Sequence, residues 1–370
     1  MIDLRRPTRR SLLTAGATAA GALLLGPSLP YLAKAATPLA PVAEDKALIA
    51  FGYVGPVTDE GWTWSHEQGR LAVQAAFPKL RTIWVESIPF SADATRTFKH
   101  FVAEGANLVF STSTYGDLLN EAAARAPDVA FLECGTPAPF GKVASYFVAH
   151  WYPSYIAGVA AGLMSKTGKL GYIASFPVPT VFAGSNSFLM GARSVNPAAT
   201  LQVIAIHHWF DPQSNAQAAS ALLDNGADLL FGIMDDPAYL QVAEKRGAKA
   251  IMWNTDLRRY GPKAYISSII IDFRKYYVDQ VHRRLDGTWT PESVILPMGS
   301  GVDIDPWGET VPELVRAEAD AVRAKIKGGW SPFVGEIKDN KGAIRVAAGQ
   351  RMTDLELDLW NWSIDGVQGI

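Results

Sequence analysis

An α/β fold of two lobes, each a doubly wound and mainly parallel sheet with helices on both faces, is what the sequence predicts. Short apolar runs alternate with longer helical patterns, a βαβα rhythm that calls for parallel strands joined by helical crossovers. The rhythm runs from Leu48 to Leu132 and restarts after Trp151, so two units of similar size face each other across a cleft. Apolar residues make up 48% of the chain, enough for a core in each unit.

Residues 1–35 stand apart from this pattern. Thr8-Arg9-Arg10-Ser11-Leu12-Leu13 places paired arginines ahead of a mild apolar stretch that ends at Ala33-Lys34-Ala35, a small-x-small site. A basic start, an apolar middle and a small-residue end describe an export signal, and the arginine pair points to the twin-arginine type. Gly16, Gly21, Gly26 and Pro27 break the apolar run, leaving it too short to span a bilayer. No cysteine closes the signal for lipid attachment. The mature chain is therefore expected to start near Ala36, in the periplasm, without a membrane anchor.

Residues 36–46, rich in Ala and Pro, read as a linker. The first strand covers Leu48 to Val54 and a helix runs from about Glu60 to Phe77. Arg81 to Val85 is a strand and Ala92 to Glu104 a helix. Strands over Asn107–Ser111 and Val129–Leu132 flank a helix near Leu118. In the second unit a helix covers Tyr155–Ser165. Strands over Lys169–Ala174, Leu201–Ile206, Leu229–Ile233 and Ala250–Trp253 then alternate with helices, one near Phe188 and one from Asn215 to Asn225. Tyr265–Ile271 is a last strong strand. The helix Arg274–Leu285 stops at Asp286-Gly287. Beyond Val302 the pattern gives a helix over Pro312–Lys327, a hairpin around Asn340-Lys341-Gly342, and Trp360 and Trp362 packed onto a lobe.

A formal net charge of −2 favours no polyanionic partner, and scattered Lys and Arg argue against nucleic acid. Cys134 stands alone, so no internal disulfide forms, and it reads as a small buried hydrophobe. Gly52, Gly55 and Gly61 lack the spacing of a dinucleotide fingerprint. No nucleophile elbow is present. His207 and His208 point opposite ways on a strand and cannot pair on a metal. A convergent pair of glycosidase carboxylates stays open. No cofactor or metal is expected, and the chain is expected to act as a monomer.

Gly55-Pro56 followed by the run from Asp59 to Arg70 resembles the first βα turn of basic membrane protein family solute receptors. The helix Tyr155–Gly162 and the strand after Gly168 are similar to the elements that open their second lobe. Pro177-Val178-Pro179, Asn186-Ser187-Phe188, Ser194-Val195-Asn196-Pro197 and Trp209-Phe210-Asp211-Pro212 resemble a purine-binding branch. The resemblance spans about residues 48–340. It implies a type I periplasmic binding protein fold, two lobes joined by three strands, that delivers a nucleoside or purine base to an ABC importer permease. The division that goes with it assigns 46–152 and about 272–300 to lobe 1. It assigns 153–271 and part of the C-terminal region to lobe 2, leaving 301–370 as an extension packed on the lobes. A sensory subunit on the same fold stays open, whereas a repressor would need a DNA-reading helix pair where the export signal stands.

Ligands in such sheets sit beyond the carboxyl ends of the strands. A purine needs aromatic faces and edge carboxylates, with stacking worth about 1–3 kcal/mol per base. Trp62 enters the first helix at a strand end, as a stacking face or a packing aromatic, and His66 follows one turn later on the same face. Tyr115 follows the polar loop Ser111–Thr114, which equally suits helix capping. Phe176 and Phe182 flank Pro177-Val178-Pro179 and offer an opposite face or core packing. Asp235-Asp236 ends a strand as a functional pair or a cap. Trp253 and Asp256 close another strand, and Asp256 matches an acidic site position of the family. Asp272 stands where nucleoside-binding members carry a lysine. It adds an acceptor for base N–H groups and shifts the expected ligand from nucleoside to free purine, though its position also suits a helix N-cap.

Overall fold

The apolar runs of the sequence become the inner strands of two sheets. A computed structural model describes residues 39–135 and 142–370; the export signal and its cut site lie outside the described residues. In chain order the first elements are β1 (Leu48–Gly52), α1 (Trp62–Ala76), β2 (Arg81–Val85), α2 (Ala92–Ala103), β3 (Leu108–Ser111), α3 (Asp117–Ala124), β4 (Ala130–Cys134) and β5 (Val143–Val148). Then come α4 (Trp151–Met164), β6 (Lys169–Ala174), α5 (Pro179–Val195), β7 (Thr200–Ala205), α6 (Pro212–Asp224), β8 (Leu229–Gly232), α7 (Ala238–Arg246), β9 (Lys249–Asn254) and β10 (Tyr265–Ile271). The chain closes with α8 (Arg274–Leu285), β11 (Ser293–Leu296), β12 (Val302–Ile304), α9 (Glu313–Lys327), β13 (Ile337–Lys338), β14 (Ile344–Val346), α10 (Asp354–Asp358) and β15 (Val367–Gln368).

One sheet has the order β11-β5-β4-β3-β1-β2, parallel throughout. The other has the order β12-β10-β9-β8-β6-β7-β15, with only β12 antiparallel to its neighbour. Such sheets bury both faces, so their central strands are apolar without alternation: every residue of β1, β3 and β8 is buried. Edge strand β2 is partly open, and there the Arg70 guanidinium lies 4.2 Å over the Trp84 ring. No described helix is long and apolar enough to cross a membrane.

The chain passes between the sheets three times: after β5, after β10 and after β11. The first passage carries His150 and the second Phe273, both fully buried. In the second sheet's layer α4 and α5 pack backbone to backbone. A Cβ on Gly158 would lie 2.0 Å from the Phe188 carbonyl oxygen, and one on Gly191 equally close to that of Tyr155. Only glycine permits that approach.

The C-terminal extension is built into the second sheet's side of the molecule. β15 pairs with β7, and the Asn186 carboxamide donates to the Trp362 carbonyl at 2.7 Å and accepts from the Ile364 N–H at 3.0 Å. Trp360 is buried and Trp362 half-buried. The hairpin forms as β13 and β14. The short β11, β12, α10 and β15 have no counterpart in the sequence reading, and two longer elements differ from it. β5, buried on all six residues, has no counterpart there, and α4 begins at Trp151, four residues early.

Candidate functional site

A cavity of about 710 Å3 lies where the carboxyl ends of the two sheets meet, the place this topology favours for ligands. From the first sheet it is lined by the segment after β1 (Val54 to Asp59), the opening residues Trp62 and Thr63 of α1, Phe90, Ser113, Thr114, Cys134 and Phe147. From the second it takes Val178–Thr180, Trp209, Phe210, Ile233, Asp235 and Trp253. Asp358, at the end of α10, completes the wall. The lining is mainly apolar and aromatic with few polar groups, the usual make-up of a small-molecule site.

The loop into α1 is held by its own carboxylate. Asp59 Oδ1 accepts from the Gly61 and Trp64 N–H groups and Oδ2 from the Thr63 N–H, all at 2.9 Å, the pattern of an N-terminal cap. Gly61 lies against the other lobe: a Cβ there would stand 2.8 Å from the Asp235 Cβ. The Trp62 indole N–H donates to the Thr112 carbonyl at 2.8 Å, which sets the ring in the wall. Trp62 is half-buried and meets Phe147 and Phe273 with ring centroids 6.2 and 5.8 Å apart. Phe90, Trp209 and Phe210 are exposed at the cavity. Phe90 stacks on Tyr115 at 4.7 Å and Trp209 leans on Phe176 at 5.9 Å.

Two carboxylates face the cavity with capacity to spare. Asp235 Oδ1 accepts from the Trp62 N–H at 3.2 Å and the Asn254 amide at 2.5 Å. Oδ2 receives nothing from any described residue. Burial, followed by the charge of Asp59, pushes this carboxyl well above its ordinary range, against the hydrogen bonds from Trp62 and Asn254. A protonated Asp235 would offer an O–H donor to the cavity. Asp358 receives no hydrogen bond from any described residue, and burial alone raises it to about 6. Cys134 is buried, and burial raises its thiol well above the ordinary value, so it remains a neutral thiol.

Of the residues singled out in the sequence, Trp62, Asp235 and Trp253 line the cavity together and the others do not. His66 is fully buried behind Trp62, its Nδ1 2.5 Å from the Tyr277 hydroxyl and its ring stacked on Phe273 at 4.3 Å. Burial keeps it neutral. Tyr115 is buried with its hydroxyl donated to the Ile88 carbonyl at 2.7 Å, so it backs Phe90. Phe176 and Phe182 are half-buried and are not part of the lining. Asp256 is exposed, accepts from the Arg258 backbone N–H at 3.0 Å and pairs with its guanidinium at 2.8 Å. Asp272 repeats this arrangement with Arg274 at 2.9 and 2.6 Å. Both acids close on an arginine two residues ahead, a local turn that removes them from the cavity. Asp236 is fully buried and caps α7 through the Ala238 N–H at 2.9 Å, so the adjacent pair divides into one cavity acid and one cap. Phe90, Phe147, Trp209, Phe210, Asp59 and Asp358 are additions of the structure. Among them Trp209-Phe210 had a sequence signal, an aromatic pair directly before the Asp211-Pro212 helix start.

Contacts across the rim join the two sides. The Thr255 hydroxyl donates to the Glu60 carbonyl, the Tyr260 hydroxyl donates to the Glu60 carboxylate at 2.8 Å, and Arg259 pairs with the same carboxylate.

The profile of the ABC transporter substrate-binding protein PnrA-like family (Bmp) matches residues 46–303. A purine-binding protein of Brucella abortus is 36% identical over 329 residues, 88% of this chain and 94% of that protein. A Haloferax volcanii protein named as an ABC transporter glucose-binding protein is 31% identical over 279 residues, 75% of this chain and 71% of that protein. The solved structure of an ABC transporter solute-binding protein from Conexibacter woesei superimposes with a TM-score of 0.64 at 21% identity, covering 76% of this chain and 97% of that one. At that identity it speaks for the fold alone.

Proposed function

Because the chain belongs to the PnrA-like family of ABC transporter substrate-binding proteins, we propose that it captures a purine base in the cavity between its sheets. It would then present the base to an ABC transporter permease from the periplasmic side. The family is one of binding proteins, not enzymes, and its members bind a small solute and work with an ABC transporter. The purine-binding relative, similar over nearly its whole length, supports the ligand class.

The observation that carries the reading is the pairing of aromatic faces with a free carboxyl oxygen in one cavity. Trp62, Trp253 and Phe147 supply flat apolar surface, and Asp235 Oδ2 has no partner among the described residues. Flat heteroaromatic rings stack on aromatic side chains whatever their sequence of substituents, and the free oxygen meets a ring nitrogen at the edge. Periplasmic location rests on the sequence of residues 1–35.

Asp272 no longer separates free base from nucleoside, since its carboxylate is held by Arg274 outside the wall. A nucleoside is the second reading. The cavity volume and the hydroxyl side chains of Ser113, Thr114 and Thr180 favour it by leaving polar room for a ribose.

Tryptophan fluorescence titration tests the proposal, since Trp62, Trp209 and Trp253 all stand in the wall. A purine base should shift the emission saturably at about micromolar Kd or tighter. A saturable response to glucose with none to any base or nucleoside would refute it.

A further inference from the structure

We propose that Asp358, carried into the cavity by the C-terminal extension, is a ligand-contacting and specificity-determining residue that accepts a hydrogen bond from an N–H on the edge of the bound ring. It lies beyond the 46–303 segment matched by the family profile.

Asp358 is 5% exposed and lines the cavity, and neither of its oxygens receives a hydrogen bond from a described residue; Oδ2 is sealed from solvent, which leaves Oδ1 as the oxygen that can meet the ligand. Buried carboxylates are ordinarily paired or hydrogen-bonded, because an isolated buried charge is costly. The other cavity acids have their partners: Asp59 holds three backbone N–H groups and Asp235 holds two N–H donors on Oδ1. No cation accounts for Asp358 either, for burial is the whole cause of its raised pKa of about 6.

The fold holds this group in place. α10 opens with a capping box in which Thr353 and Glu356 satisfy each other's backbone N–H. Leu357 and Trp360, on either side, are buried in the main core. The Tyr152 hydroxyl donates to Asp354 at 2.9 Å, tying α10 to the start of α4. A capped and anchored segment thus delivers an acceptor with nothing to accept from the described residues. At neutral pH a carboxyl titrating at about 6 is mostly ionised and only accepts, so the missing partner is a donor. Purine edges carry ring and exocyclic N–H groups; a ligand without one would leave the charge buried and unpaired. The inference rests on the purine reading above.

The test compares the wild-type chain with Asp358→Asn and Asp358→Leu, by calorimetric titration of the base that the wild type binds best and by thermal melting without ligand. Asparagine keeps an uncharged acceptor; leucine keeps none. Affinity should fall in the order wild type, Asn, Leu. The leucine variant should be weaker by about 10- to 150-fold, the range of one charged hydrogen bond. Both variants should melt no lower than the wild type. Equal affinities across the three would overturn the inference and leave the purine reading standing. Weakened binding together with a lowered melting temperature would make Asp358 a structural residue and overturn it as well. If the wild type bound no purine, both readings would fall together.

Discussion

Removing the charge of Asp358 should stabilise the ligand-free protein. The carboxyl titrates at about 6 where an ordinary aspartate lies near 3.8, and each tenfold change in acidity is worth about 1.36 kcal/mol. Holding the charge in the folded state therefore costs about 3 kcal/mol at neutral pH. In Asp358→Asn the new amide must find its own partners in the same place, which takes back about 1–2 kcal/mol. A net gain of about 1–2 kcal/mol should raise Tm by about 2–8 °C, at about 2–4 °C per kcal/mol for larger domains. The sign with pH follows from the raised value. The cost is fully present above the folded pKa and is relieved as the pH falls from about 6 toward the unfolded value near 4. The gap between variant and wild type should thus be largest near neutral pH and close on acidification. Asp235, Asp236, Glu133 and Asp305 are also shifted upward, each with burial as the first cause, so the wild-type slope alone is not diagnostic; the difference between the two proteins is. Circular dichroism melts of stripped protein at about pH 7.5 and about pH 4.5 measure it. A variant that melts below the wild type at both would refute the argument that this carboxylate is an unpaired charge.

The remaining predictions concern the wall and the export signal. Trp62→Ala should weaken base binding by about 1–3 kcal/mol, or about 5- to 150-fold, read by calorimetry. Asp235→Asn should bind within about tenfold of the wild type, because an amide reproduces a protonated acid at Oδ2, whereas Asp235→Ala strands the Trp62 N–H and the Asn254 amide and should lose about 1–3 kcal/mol; equal losses in both would mean that the ionised form binds. Asp256→Asn and Asp272→Asn should leave affinity unchanged, since each acid is about two-fifths exposed and paired with an arginine outside the cavity; a tenfold loss in either would place it in the site. Replacing Arg9 and Arg10 by Lys should block export, and unimpaired export, followed by fractionation, would remove the twin-arginine reading.

The sheets were legible because a buried parallel strand leaves a continuous apolar run, and β1, β3, β6, β8, β9 and β10 all carry one. β5 escaped because only Ala149 and His150 separate Val143–Val148 from the apolar start of α4, too short a break to divide strand from helix. The antiparallel β12 is three residues long, too short for periodicity to register. At the site, strand ends could be located but side-chain direction could not. Asp235 and Asp236 are neighbours in sequence, and only the fold turns one into the cavity and the other onto α7. His66 shares the Trp62 face of α1, but the second passage of the chain brings Phe273 and Tyr277 over it. For Asp256 and Asp272 a local signal did exist, the arginine two residues ahead of each. Asp358 had none: it is separated by more than a hundred residues from Asp235 and Trp253, and tertiary packing of the extension alone brings it to the wall.

Whether the cavity takes a purine is decided by calorimetric titration of the ligand-stripped mature chain with adenine, guanine, hypoxanthine and xanthine, each beside its nucleoside and with glucose as a control. One-site binding of at least one base is expected at about micromolar Kd or tighter, roughly −8 kcal/mol, with a negative heat-capacity change from burial of the ring against Trp62 and Trp253. Binding of glucose with no heat from any base or nucleoside would contradict it.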